Sequence, residues 1–123
     1  LAYDNIYAKA LCGAIAFNVQ NDEGAALSKG QVVYIKGIIG GTPTVGLAAC
    51  DDANKMPAFG LVADGTINNG ATGKIVTFGD LVSIDTSGFS QGDILYVQTG
   101  SGGVSGSLTN SAPTGSGNLL QNI

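Results

Sequence analysis

The residues of this sequence that can act as paired carboxylates are the adjacent Asp51 and Asp52, taken with Asp80, Asp85 or Asp93. Two carboxylates across a glycosidic bond supply an acid and a base or nucleophile. Adjacent aspartates in a loop more often cap turns and face water, and that solvated reading is the stronger one here. A serine or cysteine nucleophile needs an imidazole or equivalent base beside it, and the chain contains no histidine. Asp51-Asp52-Ala53-Asn54 places three oxygen-bearing side chains in one short loop, yet it lacks the register and the distal glutamate of an EF-hand. Cys12 and Cys50 have neither C-x-x-C spacing nor histidine neighbours, which argues against zinc or a redox motif. They are read as two small buried hydrophobes or as a structural disulfide. The glycine-rich stretch 100–117 has no P-loop lysine after its glycines and is expected to be a loosely packed connector. No catalytic residue, cofactor or metal is assigned, and the protein is expected not to be an enzyme.

The elements that would position such side chains read as strands. Ile15, Phe17 and Val19 alternate with Ala14, Ala16 and Asn18, the pattern of a half-buried strand. Turn formers at Asn21-Asp22-Glu23-Gly24 lead to Gln31-Val32-Val33-Tyr34-Ile35, a strand apolar on both faces. Ile38-Ile39-Gly40-Gly41-Thr42-Pro43 predicts a hairpin turn, because Gly-Gly permits positive φ. The polar loop 51–57 precedes a strand over 58–63, and a further strand is expected over 74–81. Between residues 27 and 97 no ten-residue window keeps helical periodicity without glycine or proline.

An internal echo links two of these units. Leu27-Ser28-Lys29-Gly30-Gln31-Val32-Val33-Tyr34-Ile35 aligns without a gap with Phe89-Ser90-Gln91-Gly92-Asp93-Ile94-Leu95-Tyr96-Val97, and each is followed by Gly-Gly, at Gly40-Gly41 and Gly102-Gly103. Asp93 stands where the other copy has Gln31, so a carboxylate is not required there. The expected fold is all-β, a small β-barrel or β-sandwich with a pseudo-repeated hairpin unit and glycine-rich loops, in which 32–35 and 94–97 are pseudo-equivalent central strands. Residues 1–13 are an N-terminal arm or a first strand, and 14–123 form a single β domain. The chain starts at Leu1 without methionine, which is read as processing, an upstream start, or excision from a longer protein.

Composition narrows the partners. Hydrophobic residues make up 44% and charged residues 11% of the 123, against about 25% charged in an ordinary soluble domain, so much of the surface is expected to be covered by partners. The charge is −4, with five lysines and no arginine, which leaves no basic stripe for phosphates. Nucleic acid is excluded on that ground. The apolar runs are far shorter than the roughly 18 residues that span a bilayer, and no membrane partner is expected.

Several segments resemble a module of phage virion proteins of the head fibre, capsid decoration and tail fibre type. They are Gly24-Ala25-Ala26-Leu27-Ser28-Lys29-Gly30 running into Gln31-Val32-Val33-Tyr34-Ile35, then Gly41-Thr42-Pro43-Thr44-Val45 and Pro57-Ala58-Phe59-Gly60-Leu61-Val62. Val76-Thr77-Phe78-Gly79, residues 81–85, the 89–97 segment and Leu120-Gln121-Asn122-Ile123 continue the match, which covers most of the chain from about residue 14. In the family the closing Gln-Asn-Ile is commonly followed by glycine and more strand, so a fragment of a longer chain is an open reading. The resemblance implies a non-enzymatic structural protein on the virion surface: a capsid decoration (cement) or head fibre protein. It would be a homo-oligomer, with a trimer favoured, bound to the major capsid protein or other virion proteins. The alternative is a tail fibre or adhesin module that binds a host-surface glycan, but no tryptophan is present to serve as a sugar platform. The candidate interface residues are Tyr3, Ile6, Tyr7 and Leu11 of the N-terminal segment.

Overall fold

The structure is a computed structural model and describes residues 14–79, 81 and 83–123. Five strands close a barrel: β1 (Ala14–Asn21), β3 (Val32–Ile39), β4 (Thr42–Leu47), β5 (Gly60–Val62) and β7 (Thr72–Gly79), in the order β1-β4-β3-β5-β7. All neighbours are antiparallel except β1 and β4, which run parallel and meet only at Gln20 beside Thr44 and Asn21 beside Val45. Closure removes the sheet edges where strands meet, but along β1 ahead of Gln20 the edge away from β7 stays unpaired among the described residues. The all-β barrel expected from the sequence is the fold observed.

Gly40 and Gly41 form the predicted hairpin turn between β3 and β4, with Ile39 opposite Thr42. Their φ angles of 58° and 83° are those of the two central positions of a type I′ turn, whose twist suits a tight hairpin. The reading of β3 as a strand apolar on both faces is also explained. Val33 packs inside the barrel with Val19, Leu27, Val45, Val62, Ile67 and Ile75. Its neighbour Val32 points the other way, into a second cluster with Ala48, Cys50 and Val97. A strand apolar on both faces is buried on both faces.

A two-stranded ribbon of β2 (Leu27–Ser28) and β6 (Thr66–Ile67) stoppers the barrel end where β1 finishes and β7 begins. Leu27 and Ile67 are buried there, and Asn21 ties the segments together. Its side-chain amide donates to the carbonyls of Ala25 (2.7 Å) and Ile67 (2.8 Å), while its oxygen accepts the Glu23 N–H (2.9 Å). The opposite end has no such ribbon among the described residues; there Phe59, packed on the barrel core, meets Phe17 with ring centroids 5.4 Å apart, and β1 departs from expectation. Val19 is buried, but Phe17 and Ile15 are exposed, because β1 outruns β4 and no facing strand covers them. The strand expected over 58–63 is likewise confined to β5.

The internal echo is preserved in its turns. In both copies the glycine has positive φ, 88° at Gly30 and 87° at Gly92. The Gln31 and Asp93 amides donate to the Ser28 and Ser90 carbonyls (3.2 and 3.0 Å). The Gln31 and Asp93 side chains in turn accept the Ser28 and Ser90 N–H (2.7 and 2.8 Å). Each copy also opens a hairpin, β3–β4 in the first and β8 (Tyr96–Val97) with β9 (Leu108–Thr109) in the second. The two strands are not equivalent barrel strands, and that expectation is corrected. β8 lies outside the barrel in its own ribbon, with Tyr96 bridged on its other side to Asn122. Ile94 is exposed where Val32 is buried, since Val32 is covered by Ala48, Cys50 and Val97 outside the barrel and Ile94 has no such cover among the described residues.

The stretch 100–117 is also more tightly built than a connector. Gly106 donates to the Ala48 carbonyl and accepts from the Val32 N–H, both at 2.7 Å. It has φ +81°, and a Cβ there would lie 2.5 Å from Leu47 Cδ2. Its glycine serves close approach to the barrel rather than flexibility.

Candidate functional site

The carboxylates singled out in the sequence are spent on the backbone. Asp51 accepts the N–H groups of Gly100 (2.7 Å) and Ser101 (2.9 Å), and these two bonds hold its carboxyl below the usual carboxylate range. It thereby staples the 51–55 loop to the loop that follows β8. Asp52 caps the 3-10 turn Ala53–Lys55 by accepting the Asn54 N–H (2.9 Å). Asp85 accepts the Ser87 N–H (2.9 Å). Asp93 accepts from Ser90 and from the Asn110 side-chain amide (3.0 Å). Both carboxyls are lowered by those bonds, the backbone one first. Asp80 lies outside the described residues. The turn-capping reading of these aspartates describes what they do. Among the described residues no group of three His, Cys, Asp or Glu side chains converges on a metal position.

Cys50 is a free, buried cysteine of the second cluster. Burial pushes its thiol pKa up, and the neighbouring Asp51 charge adds to the rise. A raised thiol is a packing group and a poor nucleophile. Cys12 and the proposed interface residues Tyr3, Ile6, Tyr7 and Leu11 lie outside the described residues.

The molecule's distinctive feature is apolar surface. Among the described residues, eleven large hydrophobic side chains are exposed. One group lies at the unstoppered barrel end, where Ile15 on β1 faces Phe78 on β7 and Ile38 and Ile39 flank the Gly40-Gly41 tip. A second group lies along the C-terminal segment, with Leu119 and Leu120 beside Met56 and Pro57. Between the outer face of β7 and that segment runs an apolar groove of about 310 Å³ whose lining includes Leu61, Val76, Phe78, Leu95 and Ile123. Sequence reasoning named none of the residues of the first group as an interface. A signal was present: Ile38 and Ile39 are consecutive, so a strand must turn one of them away from the core.

The fold and this surface define a small all-β barrel with extensive exposed apolar side chains and turn-capping carboxylates. Comparison with family models, with curated proteins and with solved structures finds no match to the chain. Among the described residues no helix is long and apolar enough to cross a membrane.

Proposed function

We propose that the protein is a non-enzymatic structural component of a bacteriophage virion, a capsid decoration or head fibre protein that works by being assembled into the particle surface. The observation that carries this reading is the pairing of scarce charge with abundant exposed apolar surface. Only 11% of residues are charged, while large aliphatic and aromatic side chains face water at two separate places. Contiguous exposed apolar surface marks an interaction site, and two such places fit a subunit that contacts both its own copies and a shell. The resemblance of residues 24–35, 41–45, 57–62, 76–79, 81–85, 89–97 and 120–123 to phage surface modules supports the same reading and supplies the trimer and the major capsid protein as partners.

Electron cryo-microscopy of purified particles tests it. Density for the barrel at repeated positions on the capsid is the expected result, and deletion of residues 1–13 should release the protein from capsids while circular dichroism shows the fold intact. Labelled antibody found only at tail tips, together with specific signal on a glycan array, would replace this reading with the tail fibre or adhesin alternative.

A further inference from the structure

The barrel is asymmetric along its axis. At one end Leu27 and Ile67 fill the opening. At the other, β1 has left β4 behind, since the two pair only at Gln20 and Asn21. The short β5 reaches β3 only through Val32 and Val33, and β7 only through Val76 and Ile75. Because β1 and β4 are parallel, the first half of β1, the end of β7 and the Gly40-Gly41 tip all lie at this same end. Two ribbons, β1–β7 and β3–β4, therefore project from it with no described strand between them. They carry Ile15, Phe17 and Phe78 on one and Ile35, Ile38 and Ile39 on the other, each between 38 and 75% exposed.

With the roughly 200 Å² of a fully exposed aromatic side chain as an upper bound for each, these six leave at most about 700 Å² of apolar surface in water, shared between the two ribbons. A monomer rarely exposes more than a few hundred Å² in one patch, and a specific interface buries about 800 Å² on each partner. We infer that this open end is the surface on which a second copy of the chain docks, which rests on the reading that the protein works by assembly and identifies where.

Two features select a copy over a partner of different chemistry. In the projecting stretches 14–18, 74–79, 35–39 and 42–43 the only charged residues are Lys74, whose ammonium donates to Asn18 Oδ1 (3.1 Å), and Lys36. The Lys36 ammonium is already held by the Asp22 carboxylate (3.4 Å) and backbone carbonyl (2.6 Å). A surface with so little charge to match has little means of choosing a charged partner, whereas a copy brings the same apolar face. Ahead of Gln20, moreover, from Ala14 to Val19, the edge of β1 away from β7 is unpaired among the described residues. Antiparallel pairing of one edge with the same edge of another copy is self-complementary, as a two-fold contact requires, so this end pairs copies two by two and the trimer would close through a different surface.

Sedimentation velocity on the full chain, across a range of concentrations from micromolar upward, tests this. The intact protein should sediment as an oligomer. Phe78→Ser and Ile38→Ser, which change exposed side chains, should weaken assembly by about tenfold or more each, with circular dichroism unchanged. Leu120→Ser, in the other apolar group, should assemble as the intact chain does, and Ala16→Cys should form a disulfide between copies under oxidation. A monomer at every concentration overturns the inference, as does normal assembly of both ribbon variants or loss of assembly in Leu120→Ser alone. Self-association that appears only when residues 1–13 are deleted also overturns it, because the chain's own segment then occupies the end. Particle labelling is read separately. A monomer that still coats capsids removes this inference alone, and an oligomer never found in particles removes the functional reading alone.

Discussion

The side-chain amide of Gln121 pairs with the backbone of Ala58 as a neighbouring strand would. Its oxygen accepts the Ala58 N–H at 2.8 Å and its nitrogen donates to the Ala58 carbonyl at 3.0 Å. Around this pair Leu119 donates to the Cys50 carbonyl (2.7 Å), and Val97 and Ile123 bond across to Gln121 and Leu95. The last residues of the chain thus hold the 50–58 loop and the β8 ribbon at once, and the second cluster of buried side chains sits beneath them.

Replacing Gln121 by alanine should remove both bonds and leave two partly buried backbone groups without partners. The expected loss is about 1–3 kcal/mol, read as a lower denaturant midpoint with an unchanged slope. Gln121→Glu keeps the acceptor but sets a carboxylate oxygen against the Ala58 carbonyl, so at neutral pH it should be no more stable than the alanine variant and should recover in acid, where the protonated carboxyl can donate. Equal stability of all three would show that water replaces the clamp without cost.

Gly106 and Gly117 both have positive φ, 81° and 89°, but only Gly106 has a neighbour in the way. An added Cβ meets Leu47 at 2.5 Å at Gly106 and nothing within 4 Å at Gly117. Gly117→Ala should therefore cost about 1–2 kcal/mol from backbone strain alone. Gly106→Ala adds overpacking of about 1–3 kcal/mol and should be the more damaging of the two. Thermal unfolding of the pair checks the order, and equal losses would mean that Leu47 moves aside freely.

Asn21 is buried and uses its amide three ways, as donor to Ala25 and Ile67 and as acceptor from Glu23. Asn21→Asp keeps the shape but turns two donated bonds into contacts between a carboxylate and carbonyl oxygens. A buried charge left without its partners costs about 3–5 kcal/mol, so the variant should be near the limit of folding at neutral pH. Desolvation raises the pKa of such a carboxyl, and stability should return partly as pH falls and it protonates. Chemical denaturation at neutral and mildly acid pH reads this, and a variant that is no more stable in acid would show that the loss is not electrostatic.

The strand grammar was legible because period-two alternation and Gly-Gly punctuation are local, and the β3–β4 hairpin and the two-faced burial of β3 came from them directly. The echoed turns were legible too, since Ser28-Lys29-Gly30-Gln31 and Ser90-Gln91-Gly92-Asp93 each close on their own backbone. What followed the turns was not. Whether Val32 or Ile94 is buried depends on which distant segments pack over the strand, as Ala48, Cys50 and Val97 do over Val32, and this is a property of the whole topology. The exposure of Ile15 and Phe17 has the same origin: alternation shows which side they face, while the register of β1 against β4 leaves Phe17 only Phe59 as cover and Ile15 no facing strand among the described residues. The roles of Asp51 and Gln121 involve partners 49 and 63 residues away, beyond any motif.

Asp51 also makes stability depend on pH. The amides of Gly100 and Ser101 lower its pKa in the folded state, with Lys55 a smaller influence in the same direction, and Asp85 and Asp93 are lowered by bonds from Ser87 and Ser90. A lowered native pKa means that the unfolded chain takes up protons first. The stabilisation is therefore fully present above the unfolded aspartate value, near pH 4, and is lost as pH falls through the lowered native values. All three carboxyls are solvent-exposed, so each contribution is small and screened by salt. Asp51→Asn should be less stable than the intact chain at neutral pH, and the two curves should converge in acid, where the carboxyl of the intact chain no longer bears charge. Denaturant midpoints taken from neutral into acid test this. A constant gap between the curves would assign the Asp51 bonds a structural role without linkage, and no gap at any pH would show that the loop after β8 holds its place without the staple.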